Sequence, residues 1–111
     1  MNPWVSKQLQ EILPRIQSLA FDLQTVWNKN GEFTPKEFSA LSYPAIDVRT
    51  IPCLDGRMSG HPNIRDGHLG RTSEIFYVSE KRRFVRTLSR WYMLDTPLSG
   101  EAAARAGLVF R

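Results

Sequence analysis

The sequence predicts an α+β fold, with a long N-terminal helix packed on a small antiparallel β-meander or partly open barrel and a short C-terminal helix. Three observations carry that prediction. Apolar residues recur at helical spacing from Val5 to Val26. Residues 45–94 hold β-branched and aromatic runs divided by turn-forming residues. Residues 99–107 are short and alanine-rich, with a serine before them and a glycine at their end. At 111 residues the chain has the length of one small domain. That domain comprises a helical part over 1–42, an antiparallel β unit over 45–94 and the short helix over 99–107.

Val5, Leu9, Ile12, Ile16, Leu19, Leu23 and Val26 are spaced alternately by four and three, a heptad seam on a helix over 5–28. Leu13, Ala20 and Trp27 widen the seam into a face that covers a core. Pro14 removes the bond to the Gln10 carbonyl, so the helix is either kinked or split there. The apolar phase runs through the proline, which favours one kinked helix. Asn28-Lys29-Asn30-Gly31 supplies a cation and a glycine stop. The stripe is expected to lie on the sheet of its own chain, with a homodimer through the 5–28 helix as the alternative. Thr34-Pro35-Lys36-Glu37 combines an N-cap, a first-turn proline and a capping-box glutamate, predicting a turn or short helix that ends by Ser42, before Tyr43-Pro44.

Over 45–51, Ile46 and Val48 alternate with Asp47 and Arg49, as in a half-buried strand that Pro52 ends or confines to an edge. Cys53-Leu54 resumes pairing, Asp55-Gly56 is a turn, 57–59 a short return strand and 60–67 a loop. A second strand covers 72–78, and a polar connection of hairpin length covers 79–83. The longest strand covers 84–94. It is apolar on both faces, hence central or bent, and its alternation places Phe84, Arg86, Leu88, Arg90 and Tyr92 together with Trp91 on the opposite side. Ser99 caps the last helix, Gly107 stops it, and Leu108-Val109-Phe110 is an apolar tail that docks or binds.

One cysteine makes no internal disulfide, and no run reaches bilayer-spanning length or resembles a signal peptide, so the chain reads as cytoplasmic with no membrane partner. The net charge is +4. Between Arg57 and Tyr92, eight cationic side chains (Arg57, Arg65, Arg71, Lys81, Arg82, Arg83, Arg86, Arg90) face three acidic ones (Asp66, Glu74, Glu80), leaving +5 there and −1 elsewhere. A basic patch of this kind meets an acidic protein or a nucleic acid.

No motif specifies a reaction, and no catalytic residue, metal or cofactor is expected. Cys53, His61 and His68, with Asp55 and Asp66, match no zinc-ligand spacing. A buried strand cysteine and a turn histidine account for Cys53 and His61 more simply than a thiol–imidazole pair. The glycines form neither a phosphate loop nor a dinucleotide fingerprint. His61, Asn63 and His68 are too compressed for an HNH-like nuclease, and the chain ends too soon after 99–107 for a helix-turn-helix. The candidate binding residues are Arg82, Arg83, Arg86, Arg90 and Tyr92, with His61 and Arg65 from the loop. Arginine forks hold carboxylates and phosphates, and Arg, Tyr and Trp dominate binding hot spots.

The order Gly56-x-x-x-Gly60-His61-Pro62, Asp66-Gly67, Thr72-Ser73 and Arg86-Thr87-Leu88-Ser89-Arg90-x-Tyr92-x-Leu94 resembles a family of short, uncharacterised alphaproteobacterial proteins often associated with plasmids or prophages. The resemblance covers about residues 48–94. It implies a small, mainly antiparallel β unit and a mobile-element accessory or inhibitor role, and it carries no catalytic residue.

The expected function is therefore a non-enzymatic binding protein whose partner is an acidic protein surface. The alternative is a nucleic-acid-binding protein using the same basic–aromatic strand. A small enzyme using Cys53 or His61 stands third.

Overall fold

In a computed structural model of the chain, residues 1–105 are described. The fold is α+β: helix α1 (Pro3–Asn28), strands β1 (Asp55–Arg57), β2 (Leu69–Arg71), β3 (Ile75–Val78), β4 (Phe84–Thr87) and β5 (Trp91–Met93), and helix α2 (Gly100–Arg105). The strands form two antiparallel sheets, a β1–β2 ribbon and a β3–β4–β5 meander, and do not close into a barrel. Two compact units divide the chain: Met1–Leu9 with the chain from Thr50 onward, and Gln10–Arg49. Among the described residues no helix is long and apolar enough to cross a membrane.

The first unit holds the core. Trp4 and Val5 pack on Ile75, Val78 and Val85, and Leu9, Leu54, Tyr77, Leu94 and Leu98 close around them. Helix α1 starts two residues earlier than the heptad seam indicates. Asn2 is its N-cap, its Oδ1 accepting from the Val5 N–H at 2.8 Å, and Pro3 takes the first helical position, where the missing N–H has no intrahelical partner to lose. The sheet edge is capped by this same turn. Gln8 Nε2 donates to the Val78 carbonyl at 3.0 Å, while Gln8 Oε1 accepts from the Val78 N–H at 3.2 Å. One side-chain amide thus occupies both backbone groups that a further strand would pair with.

Residues 84–94 are two strands rather than one. Arg86 pairs with Trp91 and Val85 with Tyr92, so the chain reverses through Thr87-Leu88-Ser89-Arg90. Thr87 is buried and closes the turn with its hydroxyl, which donates to the Arg90 carbonyl at 3.1 Å and accepts from the Arg90 N–H at 3.3 Å. The chain before β3 holds the turn from outside: Leu88 N–H donates to the Glu74 carbonyl and Ser89 N–H to Ser73 Oγ. The 79–82 connection is a tight hairpin in which Arg82 adopts φ 59°, a left-handed position more often given to glycine.

Further expectations for the β unit change as well. Asp55-Gly56 is no turn: Gly56 sits in β1 opposite Gly70, and the reversal is made instead by the loop over 58–68. Of the return strand expected over 57–59 only Arg57 is in a strand, as the last residue of β1; beyond it, Met58 N–H donates to the His68 carbonyl and Gly67 N–H to the Met58 carbonyl. Leu54 does pair, with Thr72, and Ile75 N–H reaches the Pro52 carbonyl, so 52–54 lies beside 72–75 without a regular ladder. The strand expected over 72–78 is regular only over β3.

In the second unit α1 continues unbroken through Pro14 to Asn28, so the split alternative does not occur. It ends with Gly31 N–H on the Val26 carbonyl and Asn30 N–H on the Trp27 carbonyl, a Schellman arrangement whose left-handed residue is Asn30, at φ 53°. Of the stripe expected to lie on the sheet only Val5 and Leu9 join the core, beside Trp4, which the stripe did not include; Leu13, Ile16, Leu19, Leu23 and Val26 are exposed. No helix forms over 34–42 and no strand over 45–51. In the short C-terminal helix, Ser99 is the N-cap, Oγ accepting from the Ala102 N–H at 3.0 Å. The Gly107 stop and the Leu108-Val109-Phe110 tail lie outside the described residues.

Candidate binding face

The hairpin at 87–90 decides which side chains share a surface. Residues directly opposite in an antiparallel pair project from the same face of a sheet. Tyr77 lies opposite Arg86 and Arg86 opposite Trp91, which aligns one residue from each of the three strands. Phe84 and its partner Met93 extend the row. Val78, Val85 and Thr87 occupy the other, buried face. The outer face is therefore Phe84, Arg86, Trp91 and Met93, with the half-buried Tyr77 at its β3 edge, where it also packs against the core. The Tyr77 and Trp91 rings meet edge to face, with centroids 5.9 Å apart and planes at 83°. They belong to strands separated by β4, so their contact spans the strand that carries Arg86.

This face is apolar and open. Phe84 is 46%, Trp91 55% and Met93 68% exposed, and Leu88 at the adjoining turn is 67% exposed. A contiguous aromatic and thioether surface around one guanidinium has the composition of an interface centre rather than of a solvated sheet face.

The sequence-derived candidates occupy several places. Arg86 lies in the middle of the face. Trp91, expected on the opposite side from Arg86, stands directly across from it. Tyr92, expected with Arg86, lies opposite Val85 on the core side. Arg90 forms the closing pair with Thr87, and its Nε is buried with no hydrogen-bond partner among the described residues. Arg82 Nε donates to the Leu98 carbonyl at 2.7 Å, and Arg83 Nη1 to the Leu94 carbonyl at 3.2 Å. These two arginines tie the 79–82 hairpin to the chain leaving β5. His61 and Arg65 belong to the 58–68 loop, where His61 Nδ1 accepts from the Asn63 N–H at 3.0 Å and the Arg65 carbonyl from the His68 N–H. Met93 and Tyr77 join the face without having been singled out. The signal that finds Met93 is the Thr87/Arg90 closure, which reverses the phase of every residue after it, whereas Tyr77 is placed by the β3–β4 register opposite Arg86.

Cys53 is half-buried and unpaired, just before β1. Among the described residues no three histidine, cysteine or acidic side chains converge. The ribbon carries one bidentate pair, Arg71 Nε and Nη2 on Asp55 Oδ1 and Oδ2 at 2.8 and 3.4 Å. The hydrogen bond from Arg71 holds the Asp55 carboxyl below its ordinary 3.8 and the Asp55 carboxylate raises Arg71. No protein-family model, curated protein or solved structure matches this chain.

Proposed function

We propose that the protein is a non-enzymatic binding module that docks a protein partner on the outer face of its β3–β4–β5 meander. The observation that carries the reading is the row of Tyr77, Phe84, Arg86, Trp91 and Met93, with Phe84, Trp91 and Met93 exposed and Tyr77 and Arg86 half-buried, on a hydrogen-bonded sheet whose other face is buried. Aromatic residues, methionine and arginine are the types enriched at protein interfaces, and Trp, Tyr and Arg give the largest losses when truncated. The partner presents apolar side chains to Trp91, Phe84 and Met93, and a carboxylate to Arg86, whose planar fork suits it. A protein fits this surface better than a nucleic acid does. A strand of nucleic acid would need several free cations beside the rings to follow its phosphates. Of the four arginines over 82–90, only Arg86 lies in the row. A mobile-element accessory or inhibitor role would follow from the resemblance of residues 48–94.

The test is affinity capture from bacterial lysate with wild-type protein and with a Trp91→Ala, Arg86→Glu variant, each with and without nuclease. A partner that survives nuclease and is lost by the variant supports the reading. Both side chains lie on the outer face, so the variant keeps its circular dichroism spectrum. Against the purified partner, Trp91→Ala alone weakens binding by about 30-fold or more, the loss of a central aromatic anchor. Capture that disappears with nuclease makes the face a nucleic-acid surface. Equal capture by wild type and variant removes the face from binding.

A further inference from the structure

The second unit offers a surface with a different partner. Leu13, Ile16, Leu19, Leu23 and Val26 are exposed along α1, with Leu19 58% and Leu23 60% open to solvent. A shallow depression lined by Leu23, Val26, Trp27, Asn30 and Gly31 lies at the C-terminal end of the row. We propose that this row pairs with the same row of a second copy as an antiparallel two-helix seam, related by a twofold axis between Gln17 and Ser18.

The occupant follows from the heptad phase and from two charges. Leu9, Ile16 and Leu23 take the a positions and Ile12, Leu19 and Val26 the d positions. Antiparallel helices pair a with d. One register sets Ile16 on the second copy's Leu19 and Ile12 on its Leu23, and the reverse by symmetry. The same register sets the flanking g residues opposite one another: Arg15 faces the second copy's Asp22, and Asp22 faces its Arg15. Neither Arg15 nor Asp22 forms an ion pair among the described residues of its own chain. They are seven residues apart, too far along the helix to meet each other.

Every neighbouring arrangement is poorer in charge. A shift by one heptad in one direction brings Arg15 against its own copy. The opposite shift brings Asp22 against its copy and Arg15 against Lys29. A parallel pair sets Arg15 against Ala20 and Asp22 against Trp27, leaving both charges unpaired. Charge complementarity therefore selects orientation and register together. Pro14 and Phe21 take the f position, farthest from the seam, so the residue that breaks the backbone ladder does not enter the interface. The proposal stands apart from the sheet face and needs none of its residues.

Sedimentation equilibrium of the full chain over a range of concentrations tests it, with three variants. Wild type is a reversible dimer. Leu19→Asp, which places a carboxylate in both central layers, weakens the dimer by about 100-fold or more while helicity is retained, since Leu19 is exposed in the single chain. Arg15→Asp turns both flanking pairs repulsive and weakens it about tenfold, and adding Asp22→Arg restores it. Nitroxides at Thr25→Cys in a Cys53→Ser background are offset by about 22 Å along the axis, fifteen residues at 1.5 Å each; in a parallel pair they stand level along the axis and lie closer together. A monomer at every concentration, a dimer indifferent to Leu19→Asp, a charge swap without rescue, or the short distance each overturns the proposal.

Discussion

Residues 45–51 and strand β3 carry similar local signatures and end in opposite states. Both have β-branched residues in a strand-like pattern. Ile75 and Val78 are buried, and β3 has a strand partner on one side and Gln8 on the other. Ile46 is 101% exposed, and over 45–51 no ladder forms. The difference lies in the neighbours. β3 lies beside a strand that a five-residue connection returns to it, while residues 45–51 run across the boundary between the two units at Arg49 and pair with no strand. A strand pattern describes a surface that fits a sheet, and the sheet must be supplied from elsewhere.

The largest expected effect breaks this symmetry with one substitution type at two positions. Ile75→Ala removes a branched side chain from a filled core and lowers stability by about 3 kcal/mol. Ile46→Ala removes the same atoms from water and changes stability by less than about 0.5 kcal/mol. Urea unfolding followed by circular dichroism checks both. Equal losses would mean that residues 45–51 are part of the folding unit.

Next comes the Gln8 amide, which stands where a strand would be. Gln8→Ala leaves the Val78 N–H and C=O without their partner and lowers stability by about 1–2 kcal/mol. Hydrogen exchange at Val78 accelerates more than at Ala103, whose N–H is bonded within the 99–103 turn. A uniform change across the chain would show that Gln8 acts on global stability alone.

Much of the fold is legible in the sequence where the signal is local. The heptad spacing gives α1 from Val5 onward, Ser99 caps the short last helix as expected, and the polar connection over 79–83 is a hairpin as its length implies. What is not legible depends on residues far away in the chain. Leu88-Ser89 holds no glycine, proline, asparagine or aspartate, and neither residue adopts positive φ. The reversal there rests on the Thr87 hydroxyl and on Ser73 and Glu74, fourteen to sixteen residues upstream. The sequence over 84–94 shows one long strand with apolar residues on both faces, and the candidate face inherits the error: Trp91 changes sides. Asp55-Gly56 misleads in the opposite way, being a turn dipeptide placed inside a ladder. The glycine that matters in the ribbon is Gly70, where an added Cβ would come within 2.8 Å of Met58 Cε and 2.9 Å of Ile64 Cδ1.

The turn itself supplies the third prediction. Thr87→Val keeps the buried volume and removes the hydroxyl, and stability falls by about 1 kcal/mol. The informative readout is the nuclear Overhauser contact between the Tyr77 and Trp91 rings. It weakens if the hydroxyl sets the position of β5, and persists if the Ser73 and Glu74 bonds suffice.

The smallest effect belongs to the ribbon, where β1 and β2 are mostly exposed and an ion pair takes over part of the role that burial plays in β3. Asp55 and Arg71 are register partners with open side chains, so the pair is screened by solvent and salt. Its sign is nonetheless fixed. A carboxyl whose pKa is lower folded than unfolded stabilises the fold above the unfolded value, and that contribution fades as pH falls through the folded value. For Asp55 the window opens at its ordinary 3.8 and extends below it. The Asp55 carboxyl carbon should titrate below 3.8 by NMR, and Asp55→Asn should lower the melting temperature slightly near neutral pH, with the difference closing in acid. Arg71→Gln should return the Asp55 midpoint toward 3.8. A midpoint that stays low without the guanidinium would locate its cause in the ribbon backbone instead of the pair.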